Sequence, residues 1–179
     1  MSSLRVIIWG LSVILSSVQI CLGETMIITS TGIVNGVIDD KYGKRGSQFL
    51  NQMPTYSLPF QIVDAPKETK TFAFVLDDPD AIPVAGFTWV HWSGANLTRS
   101  ALAENESISA ADFIQGENSW GVNMYGGMAP PNAPHQYNLH VYALDTKLPL
   151  KTGFTPKELH DAMKGHILGQ AVLSGTYAN

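Results

Sequence analysis

Lys70-Thr71-Phe72-Ala73-Phe74-Val75-Leu76, running on into Asp77-Asp78-Pro79-Asp80-Ala81, is the stretch on which the fold turns. On a strand, Phe72, Phe74 and Leu76 point to one face and Thr71, Ala73 and Val75 to the other. Both faces are largely apolar, so the strand is expected in the middle of the molecule with material packed on each side. The carboxylates and the proline that follow end it in a tight turn.

Outward from this stretch, Phe87–Trp92 (FTWVHW) and Tyr137–Leu144 (YNLHVYAL) read as two more strands, rich in aromatic and β-branched residues. Met26–Thr29 and Gln61–Val63 are shorter candidates. Gly and Pro clusters separate these runs, the punctuation of a mainly β sandwich. Helical signals gather near the end. Thr155-Pro156-Lys157-Glu158 forms a capping box with Pro at the first helical position, Leu159 and Met163 make a buried stripe, and Gly165 stops it. Ile167–Val172 is expected as a second short helix, and Ala110–Gln115 as a weak third.

Residues 1–23 read differently. Arg5 is the only charge before Glu24, Val6–Leu15 is a ten-residue apolar run, and small and polar residues follow up to Gly23. That is the layout of a cleaved secretory signal peptide, and it is too short and too polar for the roughly 20 apolar residues of a membrane span. Removing residues 1–23 from 179 leaves 156, one domain without cysteine, since the single Cys21 goes with the leader. Without Arg5 the net charge moves from −4 to −5. A secreted or periplasmic location is expected. Eleven Lys+Arg against fifteen Asp+Glu give no basic surface for a phosphate backbone, which argues against nucleic acid as a partner. Asn96-Leu97-Thr98 and Asn105-Glu106-Ser107 fit the N-glycosylation pattern, relevant only to a eukaryotic source.

Three segments collect polar groups: Asp77–Asp80 at the end of the best strand, Trp89-Val90-His91-Trp92, and the loop Gly126–Pro131 leading to His135-Gln136-Tyr137. Alternation places His91 with Trp89, opposite Val90 and Trp92. Asp commonly caps turns, and a lone strand His is commonly a core group, so each segment alone says little. Trp120 reads as core or a loop anchor, His140 as solvated, His166 as a helix-end cation and Lys41–Arg45 as a solvated loop.

Together the segments resemble the phosphatidylethanolamine-binding protein (PEBP) family, also called the Raf kinase inhibitor protein family, in its bacterial YbhB/YbcL-like branch. The resemblance rests on DPDA at Asp78–Ala81, HW at His91–Trp92 and YGG..PP....H.Y from Tyr125 to Tyr137. YALD at Tyr142–Asp145 and HILGQAVLSGTY at His166–Tyr177 add to it, with a weaker echo in Gly46–Pro54. It implies a PEBP-like Greek-key β-sandwich with short C-terminal helices and one surface pocket for phosphate-type anions or phospholipid head groups. Asp78, His91, Pro131, His135 and Tyr137 would line that pocket. Asp80 would brace the loop, with Trp89 and Tyr125 nearby. The chain departs from the family pattern at Met128 (usually Pro), at Gln136 (usually Arg) and at Ile82, which interrupts the usual DPDAP run.

Two His, a Tyr hydroxyl and loop N–H groups suit a small oxyanion, and binding is expected to tighten below about pH 6.5, where imidazole is protonated. No cofactor is implied. A rival reading makes Asp78, His91 and His135 a metal site of a hydrolytic enzyme. No G-x-S-x-G elbow supports a serine nucleophile. Binding rather than catalysis is the expected role, as a binding or inhibitory module. The resemblance further implies a kinase- or protease-type protein target and a homodimer, as in bacterial relatives.

Overall fold

The computed structural model describes residues 25–109 and 111–179, so the leader reading lies outside the described residues. The strands run β1 Ile27–Thr29, β2 Ile33–Val34, β3 Val37–Ile38, β4 Phe49–Leu50, β5 Met53–Pro54 and β6 Phe60–Val63. The longer β7 Thr71–Asp78 and β8 Trp89–Leu97 follow, then β9 Ala101–Leu102, β10 Ile114–Gln115, β11 His135–Leu144 and β12 Ile167–Tyr177. Two α-helices, α1 Ile82–Ala85 and α2 Pro156–Met163, complete the framework. A seven-stranded sheet has the order β10-β8-β7-β11-β12-β3-β2, and a three-stranded sheet the order β1-β6-β9.

The central position expected for Thr71–Leu76 is observed. β7 lies between β8 and β11, antiparallel to both. Its two faces feed two cores. Phe72, Phe74 and Leu76 join Trp92, Leu139 and Val141 under the small sheet's Ile28, Phe60 and Ile62. On the other face, Ala73 joins Leu148, Phe154, Leu159 and Met163 beneath α2. Phe74 is wholly buried, edge-on to Trp92 at 4.7 Å and to Phe60 at 5.2 Å. Such pairs add about 0.5–1.5 kcal/mol each beyond area burial.

The capping box forms as expected. The Thr155 N–H donates to Glu158 Oε2 at 2.8 Å, and the Glu158 N–H to Thr155 Oγ1 at 3.2 Å. The other two expected helices do not form. Ile167–Val172 belongs to β12, which pairs with β11 from His135↔Tyr177 to Leu144↔Ile167. Six residues of weak helical pattern cannot compete with a ten-residue ladder, so tertiary pairing overrides local propensity. Ile114–Gln115 pairs with Gly94–Ala95 of β8, while Ala110 lies outside the described residues. Between β2 and β3, Asn35 and Gly36 take φ of 52° and 76°, the two-residue hairpin turn that Asn-Gly favours.

Lys41–Arg45 is no solvated loop. Tyr42 is fully buried, and its hydroxyl, Lys41 Nζ and Tyr56 all donate to the Glu104 carboxylate. Lys44 Nζ donates at 2.7 Å to both the Pro130 carbonyl and Asn179 Oδ1, and Arg45 lies over the Tyr177 ring at 4.2 Å. The segment clamps the loop before β11 to the last strand. His166 turns its Nδ1 to Asp145 at 2.8 Å rather than to the carbonyls at the end of α2. His140, partly exposed as expected, lies 3.4 Å from Asp77 on the sheet's outer side. Asn96, first residue of one glycosylation pattern, is buried, with its side chain bonded to the backbone of Leu148 in both directions.

Candidate functional site

A cavity of about 460 Å³ opens where β7 ends and where β8 and β11 begin. Asp78 terminates β7 and caps the single turn Pro79–Ala81, its Oδ1 accepting the Ala81 N–H at 3.1 Å. Its Oδ2 accepts from His135 Nδ1 at 2.7 Å, and both side chains are buried. His135 Nε2 faces Asn132 Oδ1 at 2.9 Å, which fixes the ring on both sides. The reading of Asp as a turn cap is therefore right, but the second oxygen does more: it orients an imidazole.

His91 reaches the cavity through a β-bulge. β8 pairs Trp92 with Leu76 and Val90 with Asp77, so His91 is an extra residue with no opposite partner. Two successive residues, His91 and Trp92, are consequently both buried, at 2% and 1% exposure. Simple alternation had set them on opposite faces; the bulge cancels one step and re-aims the imidazole, a common device beside sites. Trp92 stays in the core while His91 joins Trp89 at the cavity wall.

The ring of His91 has a defined tautomer. Nδ1 lies 2.7 Å from the Gly126 carbonyl, which can only accept, so Nδ1 carries the proton. Nε2 is buried with no hydrogen-bond partner among the described residues. Burial pushes the imidazole down to about 4, against upward pulls from the Gly126 carbonyl and the Asp78 charge. Near neutral pH, His91 therefore presents a bare lone pair. Tyr137 stands between the two imidazoles, its ring 5.1 Å from His91 and 6.4 Å from His135. Its hydroxyl is also buried without a partner of good geometry. Burial and then the nearby Asp78 charge push it well above the usual phenol range, so it stays protonated.

The Gly-rich loop forms the far wall. The Gly126 N–H donates to the His91 carbonyl at 2.8 Å, and that of Gly127 to the Pro54 carbonyl at 2.8 Å. A Cβ on Gly126 would sit 2.5 Å from the Trp120 ring, and one on Gly127 would run into the Tyr42 backbone. Both glycines are thus required by close approach. Ala129, Pro130 and Pro131 line the cavity, and Lys44 holds the Pro130 carbonyl from outside.

Of the residues singled out in the sequence, Asp78, Trp89, His91, Pro131 and His135 line the cavity, and Tyr137 lies against its two histidines. Asp80 stands outside it as a brace, its Oδ2 accepting the Gln136 N–H at 2.8 Å. Tyr125 is fully buried beneath the loop, and its hydroxyl donates to the Tyr42 carbonyl at 2.7 Å. Met128 is wholly buried, and the exposed Gln136 side chain turns to Asn138, so neither departure from the family pattern touches the cavity wall. Ile82 starts α1 without displacing the Asp80 brace.

The metal reading of Asp78, His91 and His135 finds no support in the donor arrangement. Asp78 and His135 spend their facing atoms on each other, and only His91 Nε2 is free. Among the described residues, no three His, Cys, Asp or Glu side chains are set to share an ion.

Sequence reasoning missed Trp120, Gln52, Val84 and Asn132. Trp120 is a cavity wall, edge-on to Trp89 at 5.1 Å and to His91 at 5.2 Å. An aromatic ring in a Gly-rich loop was a usable signal for it. Asn132, bracketed by prolines and three residues before His135, was another.

The sequence profile described as "Phosphatidylethanolamine-binding protein" matches residues 29–178. The Bacillus subtilis protein YxkA is 39% identical over 146 residues, covering 74% of this chain and 83% of its own. A Chlamydia muridarum relative is 41% identical over 126 residues, with 68% and 81% covered. Among solved structures, the Chlamydia trachomatis homologue CT736 superposes with a TM-score of 0.75 at 34% identity, over 87% of this chain and 98% of that one. Escherichia coli YbcL, at 24% identity and a TM-score of 0.74 over 87% and 99%, shares the fold. The chain belongs to the phosphatidylethanolamine-binding protein family, with the mainly β fold of its bacterial members.

Proposed function

We propose that the protein is a binding module whose cavity takes a small phosphate-type anion, either free or at the head of a larger molecule, outside the cytoplasm after loss of residues 1–23. The apolar run Val6–Leu15 behind Arg5 supports the export step. One observation carries the binding reading: His91 Nε2 and the Tyr137 hydroxyl are both buried and both unpartnered, beside the Asp78–His135 pair. Buried polar groups in folded proteins almost always have partners, so a ligand is the natural completion of this site.

The chemistry constrains that ligand. Tyr137 can donate to an oxyanion. Neutral His91 can only accept at Nε2, so an oxyanion binds there if it brings a proton, as a monohydrogen phosphate does, or if the imidazole takes one up. Where the imidazole takes the proton up, binding consumes a proton and affinity rises as pH falls; an anion that brings its own proton consumes none. The two histidines do not act alike, since His135 is already held by Asp78 and Asn132.

Isothermal titration with inorganic phosphate between pH 5 and 8 tests the reading. The expected result is saturable binding that tightens toward acid pH and is lost in His91→Ala. A wild-type protein that is folded but takes up no phosphate at any pH would overturn it.

A further inference from the structure

We propose that the natural ligand is a phosphomonoester of an apolar, aromatic-type alcohol, and that free phosphate and phosphoethanolamine are weaker ligands of the same site. The inference rests on the anion-binding reading and concerns the part of the cavity which an anion leaves empty.

Size is the first argument. A cavity of about 460 Å³ falls in the range that holds whole organic ligands, and a lone phosphate would leave most of it unfilled. Three buried polar atoms at or beside the cavity lack partners among the described residues: His91 Nε2, the Tyr137 hydroxyl and the Trp89 indole N–H. Much of the remaining lining is apolar: Val84 and Ala85 from α1, the Trp120 ring, and Pro130 with Pro131. Water against such walls gains little, and an apolar group buried there is favoured in proportion to its area.

Charge is the second argument. An ethanolamine head would bring an ammonium group into the same space. Among the described residues Asp78 is the only acid lining the cavity, and its two oxygens are occupied by the Ala81 N–H and His135. No carboxylate remains to pair an ammonium, and an unpaired buried charge is costly. Trp89 and Trp120 meet edge to face, with planes 83° apart, so they offer the flat side of one ring rather than a closed cage for a cation. A phenyl-type ring lying against Trp120 keeps the phosphate at His91, since the two side chains are 5.2 Å apart by ring centroid.

A third feature is the way out. Trp120 and Gln52 also line a second groove with Leu50, Asn51, Met53 and Val122. A bulkier organic part can continue along it over Leu50, Met53 and Val122.

The test is competitive calorimetry at one pH in the acid range, with inorganic phosphate, phenyl phosphate and phosphoethanolamine, on wild type, Trp120→Ala and Val84→Asn. The expected result is phenyl phosphate at least tenfold tighter than either of the others, a difference of about 1.4 kcal/mol. Both variants should reduce that advantage; Val84→Asn, at a half-exposed helix position, should also leave the affinity for inorganic phosphate within about twofold, and it serves should Trp120→Ala fail to fold. Phosphate binding with phenyl phosphate no tighter, or with phosphoethanolamine the tightest, overturns the inference and spares the anion site. Failure of all three to bind overturns the anion reading and this inference with it.

Discussion

Acidification from pH 6.5 to 4 should destabilise the unliganded protein through His91 in particular. In the folded chain burial pushes this imidazole down from 6.5 to about 4, whereas in the unfolded chain it titrates near its ordinary value. Between those limits the unfolded state binds a proton that the folded state refuses, so stability falls as pH falls. The contribution is fully present above about pH 6.5 and lost by about pH 4. A depression of this size corresponds to about 3 kcal/mol, at 1.36 kcal/mol per pH unit. For a domain of this length that amounts to roughly 6–12 °C in Tm. Urea unfolding of wild type and His91→Gln in phosphate-free buffers across this range isolates the effect, because carboxylates and the other histidines titrate in both proteins. Wild type should lose about 3 kcal/mol more than the variant. Parallel stability curves would refute the reasoning, since they would mean that the imidazole is solvated or already charged.

Other expectations follow from particular contacts. Phe74→Ala should cost about 3–5 kcal/mol in chemical denaturation, because it empties the space between Trp92 and Phe60 at the centre of the core. Lys44→Met removes the strut on the Pro130 carbonyl; calorimetry should show weaker phosphate binding, with about 1–2 kcal/mol lost in stability. Gln136→Arg should leave phosphate affinity unchanged in the same assay, since the side chain at 136 lies outside the cavity. Thr155→Ala should lower stability by about 1 kcal/mol through the lost cap of α2, without altering phosphate binding.

Much of the fold was legible because local pattern and tertiary role agree. The two apolar faces of Phe72–Leu76 announced a strand covered on both sides, and two separate cores do cover it. The capping box named the start of α2 for the same reason: its hydrogen bonds are local. Ile167–Val172 was misread because what makes it a strand is β11, some thirty residues away in sequence and invisible to a short window. The extension of β8 through Ser93-Gly94-Ala95-Asn96 was missed because those residues look like a turn. In place, Gly94 makes room for the Phe74 ring, and Asn96 at a φ of 64° carries a second irregularity in the β7–β8 pairing.

The site divides along the same line. Asp78, His91 and His135 could be picked out by residue type and kinship, but what each does depends on geometry. A bulge turns His91 inward, and a turn cap on one oxygen of Asp78 leaves the other for His135. Lys41–Arg45 looked solvated because charge was the only visible property. Its clamp on the pocket loop depends on Glu104, Pro130 and the last residues of the chain, none of them near in sequence.

The central claim is that an anion completes His91, and nitrogen-resolved NMR of the imidazoles during a phosphate titration tests it most directly. The Nε2 resonance of His91 should move to a saturating endpoint, while Nδ1 keeps the signature of a proton donated to Gly126. An unmoved His91 Nε2 at phosphate concentrations that saturate the protein would contradict it.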